Sequence, residues 1–174
     1  MNWVYYIDGY NVIHHSAILQ PLAREDFEAA RDALIEKVSR FCAGTGAKTT
    51  IVFDGRGHAA ESAPLPSGLP CLEVLYSPRG KTADMLIERR VYASTNRRNI
   101  IVVTADRGIR DLCMALGALV MSPDKFLATA REAYDATARA LERIRRATTR
   151  ELFEDRIGES GRERLRHIRR RLGP

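Results

Sequence analysis

The sequence predicts an α/β fold with a mainly parallel, five-stranded sheet and helices on both of its faces. Short apolar runs rich in Val, Ile and aromatic residues alternate with longer stretches whose apolar residues recur every three or four positions. The short runs are continuously apolar, which is typical of strands buried on both faces of a parallel sheet. A chain of 174 residues is long enough for one domain with its own core, followed by a tail.

Five strands and four helices follow from these patterns in chain order. The strands are predicted at 3–7, 49–53, 71–76, 99–103 and 118–121, and the helices at 24–43, 82–94, between Asp106 and Gly117, and from 123 onward. We expect Gly44 to end the first helix, Thr82 to cap the second and Ser122 to cap the last. A loop containing Pro21 precedes the first helix, and a loop rich in Gly and Pro covers residues 56–70.

Basic charge is concentrated in the last fifth of the chain. Residues 139–174 contain twelve Arg, no Lys and six acids, whereas the other 138 residues balance sixteen basic side chains against sixteen acidic ones. We therefore predict a domain over residues 1–147 and an Arg-rich, partly helical tail over 148–174. Because Arg forms bidentate contacts with phosphate, this end of the chain, including Arg145 and Arg146, is expected to bind RNA or DNA. The alternative is a solvated surface segment.

Cysteine usage and hydropathy indicate the compartment. Cys42, Cys71 and Cys113 are odd in number and far apart, which favours reduced core thiols over a disulfide framework or a zinc site. The longest apolar runs are far shorter than the roughly 20 residues that a membrane span requires. The first strand follows the N-terminus directly, without the pattern of a secretory signal. We therefore expect a cytoplasmic protein with no membrane partner.

Four aspartates occupy the positions that a parallel sheet makes functional. Asp8, Asp54 and Asp106 each follow a predicted strand, and Asp84 lies in the first turn of a predicted helix. Because the carboxyl ends of parallel strands meet at one edge, we expect these acids to converge. A divalent cation would remove their repulsion, and oxygen-only ligands favour Mg²⁺ or Mn²⁺. Each acid alone also fits a helix cap, a turn or a first-turn acid.

An acidic metal centre at this edge would support hydrolysis of a phosphodiester bond. Asn11 is expected to orient a ligand or to contact the phosphate with its amide. His14 and His15 are expected to lie in a loop, and Tyr10 fits either base stacking or burial. The residues predicted to hold RNA phosphates lie near the acids: Arg79, Lys81, Thr104 and Arg107.

The order of these motifs resembles the NYN domain family, and most closely its bacterial YacP-like branch in the PIN-like ribonuclease superfamily. The resemblance covers residues 3–147. It rests on Y-I-D-G-Y-N-V-I at residues 6–13, V-F-D at 52–54, T-A-D at 82–84 followed by Ile87-Glu88, and T-A-D at 104–106. It implies a Rossmann-like, PIN-like three-layer fold and a Mg²⁺- or Mn²⁺-dependent endoribonuclease acting on single-stranded or unpaired RNA.

By this resemblance, Asp8, Asp84 and Asp106 are the metal-binding catalytic acids, and Asn11 and Asp54 support them. Relatives connected with translation further suggest ribosome-bound mRNA as a substrate and the ribosome as a partner.

Three departures from the family pattern concern substrate choice and rate. Lys81 stands where relatives often carry an acid, and Ala105 replaces a common Ser. The segment 107–110 lacks a Glu-Gln pair that is often present.

Two rival functions are weighed against the endoribonuclease. The first is a non-catalytic RNA- or ribosome-binding module, in which the Arg-rich tail provides the affinity. The second is a phosphatase or phosphotransferase. The haloacid-dehalogenase pattern requires a second Asp two residues after Asp8, where this chain has Tyr10. A receiver domain would require phosphorylation of Asp54, which does not account for Asp8 and Asn11. A metal-dependent endoribonuclease is therefore the leading prediction.

Overall fold

Strands and helices alternate along the chain, as predicted. The structure is a computed structural model that describes residues 3–55 and 69–172. The strands are β1 (Val4–Asp8), β2 (Lys48–Phe53), β3 (Leu72–Tyr76), β4 (Ile100–Val103) and β5 (Leu119–Met121). The helices are α1 (Gly9–His15), α2 (Leu19–Glu25), α3 (Phe27–Thr45), α4 (Ala83–Ala93), α5 (Arg107–Ala115) and α6 (Pro123–Leu172), with a short 3-10 helix at Arg97–Asn99. Of the loop predicted at 56–70, residues 56–68 lie outside the described part of the chain.

All five strands are parallel and lie in the order β3-β2-β1-β4-β5. In the central strand, Asp8 pairs with Val52 of β2, and Ile7 pairs with Val103 of β4. From β1 the chain continues to β2 and β3 on one side, and then returns to β4 and β5 on the other. The strand order therefore reverses between β1 and β4, and ligands of such sheets bind at the carboxyl ends beside the reversal.

Two hydrophobic cores lie on opposite faces of the sheet, because successive strand residues point to opposite sides. One core contains Ile7, Ile51 and Val103 and is covered by α1, α2, α3 and the beginning of α6. The other contains Val52 and Val102 and is covered by α4 and α5. Helices therefore cover both faces, and the predicted fold class is confirmed.

The segment between β1 and α3 is helical, which corrects the prediction of a loop containing Pro21. Helices α1 and α2 have seven residues each, too few for a periodic apolar pattern to be recognised. Pro21 lies in the first turn of α2, where its missing N–H is not needed. His14 and His15, predicted to lie in a loop, form the last turn of α1.

Helix α3 differs from its prediction at both ends. It begins after Asp26, whose carboxylate accepts a hydrogen bond from the Ala29 N–H at 3.0 Å. Residues 24 and 25 belong to α2. At the other end, Gly46 adopts the left-handed conformation with φ of 67°, so it ends the helix in place of Gly44.

Two predicted helix caps are confirmed. The Thr82 hydroxyl accepts the Met85 N–H at 3.3 Å where α4 begins. The Ser122 hydroxyl accepts the Lys125 N–H at 3.4 Å where α6 begins.

The chain divides into two units, Met1–Tyr134 and Asp135–Pro174. The first contains the sheet, and the second contains the later part of α6. The boundary predicted after residue 147 stays a prediction. Across residues 3–55 and 69–172, none of the helices combines the length and apolar character needed to cross a bilayer. All three cysteines are free, and burial raises the pKa of Cys42 and of Cys113 to about 11.

Candidate active site

Asp8 is the last residue of β1 and lies beside the reversal of strand order. Its carboxylate caps α1 by accepting the Asn11 N–H at 3.0 Å, and the residue is only 7% exposed. Burial raises the pKa of Asp8 to about 7. The hydrogen bond from Asn11 opposes this rise, whereas the charges of Asp84, Asp54 and Asp106 add to it. The structure therefore brings the other three aspartates within electrostatic reach of Asp8.

Asp84 lies half-buried in the first turn of α4. Burial raises its pKa, and the charges of Asp106 and Asp54 raise it further. A hydrogen bond with Asp8 acts in the opposite direction. We call these four side chains the carboxylate cluster: Asp8, Asp54, Asp84 and Asp106.

Asn11 joins α1 to the loop that carries Asp106. Its side-chain oxygen accepts the Ala105 N–H at 2.7 Å, although the two residues are 94 positions apart. Asp106 then caps α5 by accepting the Ile109 N–H at 3.1 Å. The Asn11 amide therefore positions Asp106 relative to β1.

Asp54 performs the corresponding function for Asp84. Its Oδ1 accepts the Ala83 N–H at 2.6 Å, which anchors the first turn of α4 to the end of β2. Ser77, buried after β3, donates to the same oxygen at 3.5 Å and accepts the Gly55 N–H at 2.9 Å. Sequence reasoning does not identify Ser77; its position directly after a strand, at the same edge as the acids, is the signal that could have found it.

Both Asp-Gly pairs require glycine because other atoms lie against the backbone. A Cβ atom on Gly9 would overlap the ring of Phe53, and one on Gly55 would overlap the carbonyl oxygen of Ser77. These close approaches fix the direction of the chain immediately after each aspartate.

The cations predicted to contact RNA near the acids are accessible, whereas Thr104 is not. Arg79 and Lys81 are exposed in the turn before α4, and Arg107 is exposed at the start of α5. Thr104 is 1% exposed, and its hydroxyl accepts the Asp106 N–H at 3.1 Å. This hydrogen bond shapes the turn that carries Asp106, and contact between Thr104 and RNA stays a prediction.

Arg145 and Arg146 lie exposed on α6, in the second unit. Arg146 forms an ion pair with Glu142 at 2.8 Å, one helical turn away. Exposed pairs of this kind contribute little free energy, so the guanidinium group can exchange the carboxylate for a phosphate.

The carboxylate cluster offers the donors of a divalent-cation site without forming a closed cage. Within residues 3–55 and 69–172, no group of three or more His, Cys, Asp or Glu side chains is arranged to hold a metal ion. The donor chemistry nevertheless suits Mg²⁺ or Mn²⁺, because the donors are carboxylate oxygens whose negative charges raise the pKa of Asp8 and of Asp84. Binding would require the carboxylates to rotate toward a common point, so metal binding stays a prediction.

A parallel α/β sheet with this acidic edge defines the class of protein, a nuclease-type domain of the PIN-like superfamily. The sequence matches the YacP-like NYN domain over residues 5–170, and the chain belongs to that family.

Relatives from Bacillus subtilis support the assignment. The uncharacterized protein YacP of strain 168 is 31% identical over 144 residues, which make up 82% of each chain. The crystal structure of Rae1 (YacP) has a TM-score of 0.65 at 29% identity, covering 99% of this chain and 96% of that one. A mutant form of Rae1 (YacP) has a TM-score of 0.62 at 30% identity, with 86% and 85% covered.

Proposed function

We propose that this protein is a Mg²⁺- or Mn²⁺-dependent endoribonuclease that hydrolyses phosphodiester bonds in single-stranded or unpaired RNA. The observation that carries the proposal is the carboxylate cluster, in which burial and neighbouring acids raise the pKa of Asp8 and Asp84. Mutually repelling groups held together at a ligand-binding edge are typical of functional sites. Membership of the NYN family supports ribonuclease chemistry in particular.

Each residue of the site has a distinct role in this proposal. Asp8, Asp84 and Asp106 are the catalytic metal ligands. Asp54, whose Oδ1 is bonded to α4, contributes its other oxygen, and Asn11 positions the Asp106 loop. When bound, a divalent ion supplies the positive charge that polarises the scissile phosphate and lowers the pKa of the attacking water.

RNA binding is assigned to the exposed cations around the cluster and on α6. Arg79, Lys81 and Arg107 flank the acids in the chain, and Arg145 and Arg146 belong to the Arg-rich segment at residues 139–174. Ribosome-bound mRNA, the ribosome as a partner and a cytoplasmic location complete the proposal. The family resemblance supports the first two, and the three free cysteines are consistent with the last.

Cleavage of an end-labelled, unstructured RNA in Mg²⁺, Mn²⁺ or EDTA tests the proposal. We expect internal cuts with either metal and none in EDTA, and a loss of about 100-fold or more in rate for Asp8→Asn. Asp111→Asn, which changes an exposed acid on α5, is the matched control and should keep the wild-type rate. Cleavage that persists in both EDTA and Asp8→Asn contradicts the proposal. RNA that is bound but not cut by the wild type would favour the non-catalytic binding module.

A further inference from the structure

A pocket of about 290 Å³ lies directly beside the carboxylate cluster. Helices α1 and α3 and the ends of β2 and β3 provide its lining: Tyr10, Phe27, Glu28, Arg31, Asp54 and Tyr76. Asp54 belongs to both the cluster and the pocket. A group that fills the pocket would therefore lie next to the proposed cleavage site.

Aromatic rings form most of the apolar wall. Tyr76 stacks on Phe53 at a centroid distance of 5.7 Å and an angle of 24°. Tyr10 packs against Phe27 at 5.0 Å and against Phe53 at 5.1 Å. Tyr10, Phe27 and Tyr76 are only half-buried, so they keep accessible surface. Aromatic side chains held in this way are suited to stack against a planar group.

The charges of the pocket lining match a neutral base better than a phosphate. The Arg31 guanidinium lies over the Tyr76 ring, 5.8 Å from its centre, and 3.5 Å from the Glu28 carboxylate, so a planar group that stacks on Tyr76 takes the place of the guanidinium there. With Asp54, the lining thus carries two carboxylates and one guanidinium, a balance that repels an anionic group. A neutral planar group with its own donors and acceptors is complementary, because Arg31 donates hydrogen bonds and Glu28 accepts them.

We propose that this pocket binds one nucleobase of the RNA, from a nucleotide flanking the cleaved bond. The inference rests on the proposed ribonuclease function and adds a base-selecting subsite to it. A volume of about 290 Å³ lies just below the range of about 300–1,000 Å³ for sites that bind drug-sized molecules, which suits a single base. Tyr76 provides the stacking surface, and Arg31 and Glu28 contact the edge of the base.

Abasic substitution of the RNA tests the subsite. A series of otherwise identical RNAs, each lacking one base near the cleaved bond, is cut by the wild type and by Tyr76→Leu. We expect loss of one particular base to slow the wild type by about 10-fold, the effect of one base–aromatic stack. Tyr76→Leu should cut the intact RNA about 10-fold more slowly and be indifferent to that same base. Removing the base and replacing Tyr76 should together slow cleavage no more than either change alone, because both changes remove the same contact.

Control variants separate this stacking from unrelated effects. Tyr92→Leu makes the same change at an exposed tyrosine of α4 outside the pocket lining, and it should retain the wild-type base dependence. If Tyr76→Leu does not fold, Arg31→Met replaces it, with Arg40→Met as its control on α3. A wild type that ignores every base near the bond, or a pocket variant with the full base dependence, overturns the proposal.

A binding measurement distinguishes failure of the subsite from failure of the ribonuclease function. If the wild type cuts no RNA with metal, the function itself fails. The pocket is then examined in EDTA with a single-stranded RNA containing 2-aminopurine, whose fluorescence falls when it stacks. Quenching by the wild type that is reduced in Tyr76→Leu supports the base pocket. Equal quenching by both proteins, or no quenching, overturns it.

Discussion

Asp8 combines a structural role and a proposed catalytic role in one carboxyl group. It caps α1 through the Asn11 N–H and is 7% exposed among three other acids. Asn caps helices as well as Asp does, so capping alone does not require the charge. Since the pKa is raised to about 7, ionising Asp8 costs folding free energy at neutral pH. A charge kept despite that cost is characteristic of a functional site.

The pH dependence of stability measures this cost. The ordinary pKa of Asp is 3.8, whereas that of Asp8 in the folded protein is about 7, so the folded state binds the proton more tightly. The free energy of unfolding therefore falls as the pH rises from about 4 to about 7, and the loss is complete above that. In EDTA at about pH 8 we expect Asp8→Asn to raise the free energy of unfolding by about 2–4 kcal/mol. Near pH 4 the same substitution should change the free energy of unfolding little.

Urea unfolding at both pH values checks this expectation. Asp26→Asn is the matched control, because Asp26 also caps a helix but is exposed. If Asp8→Asn lowers the free energy of unfolding at about pH 8, ionised Asp8 is not a destabilising group and the expectation is wrong.

Asn11 is expected to act on catalysis through the position of Asp106. Asn11→Ala leaves the partly buried Ala105 N–H without its acceptor, which should lower the free energy of unfolding by about 1 kcal/mol. Because Asp106 is then displaced, kcat for RNA cleavage should fall more than KM changes. An Asn11→Ala enzyme with wild-type kcat would show that the contact is only structural; Asn96→Ala, at an exposed asparagine, is the control.

The acids could be predicted from the sequence because each follows a strand or opens a helix. Their supporting contacts could not. The hydrogen bonds from Ala105 to Asn11 and from Ala83 to Asp54 join residues 94 and 29 positions apart, and no local pattern records such pairs. Thr104 illustrates the same limit, because the inward direction of its hydroxyl depends on how the turn packs.

Among the elements, the junction of β1 and α1 determines where Asp8 lies. The backbone of Gly9 packs so closely on Phe53 that there is no room for a Cβ. We expect Gly9→Ala to lower the free energy of unfolding by about 1–3 kcal/mol, the usual effect of overpacking, and to reduce cleavage. Gly44→Ala, in the exposed part of α3, should be neutral or stabilising. Thermal unfolding compares the Gly9→Ala and Gly44→Ala variants. Equal stability of these two variants would contradict the close packing of Gly9 on Phe53.

Elements with a clear apolar pattern were the predictable ones. The five strands agree with their predicted bounds within one residue at each end, because short runs rich in Val, Ile, Leu and aromatic residues mark them. Helices α1 and α2 could not be recognised, since seven residues form barely two turns and their stability depends on packing against α3. Gly44 and Gly46 are equivalent in sequence, and only the observed φ shows which one ends α3.

At the scale of the whole molecule, the uneven distribution of charge predicts how RNA binding responds to salt. Arg145→Gln combined with Arg146→Gln should weaken binding and reduce the slope of log K against log salt by about 1.4, or about 0.7 per lost phosphate contact. Lys37→Gln combined with Lys48→Gln is the control, because Lys48 lies at the strand end opposite the acids. Filter binding to unstructured RNA at several salt concentrations measures the affinity and the slope for both double variants. Equal slopes for the two double variants would show that the Arg-rich segment is a solvated helix surface and not an RNA-binding one.

The architecture of the sheet was accessible to prediction because alternating strands and helices permit few topologies. Buried parallel strands with right-handed crossovers place all carboxyl ends at one edge, so Asp8 and Asp106 must face the same side. The detailed arrangement of the carboxylates was not accessible. Side-chain rotation decides whether four acids form a cage, and the sequence contains no record of it.

Titration of the protein with Mn²⁺, followed by calorimetry, tests most directly whether the carboxylate cluster is a metal centre. The wild type should bind Mn²⁺, and Asp8→Asn and Asp84→Asn should each weaken binding by about 10-fold or more. Glu88→Gln, an exposed acid one turn beyond Asp84, should bind as the wild type does. Absence of binding to the wild type, or equal affinity in all four proteins, would contradict a metal-dependent site at this edge of the sheet.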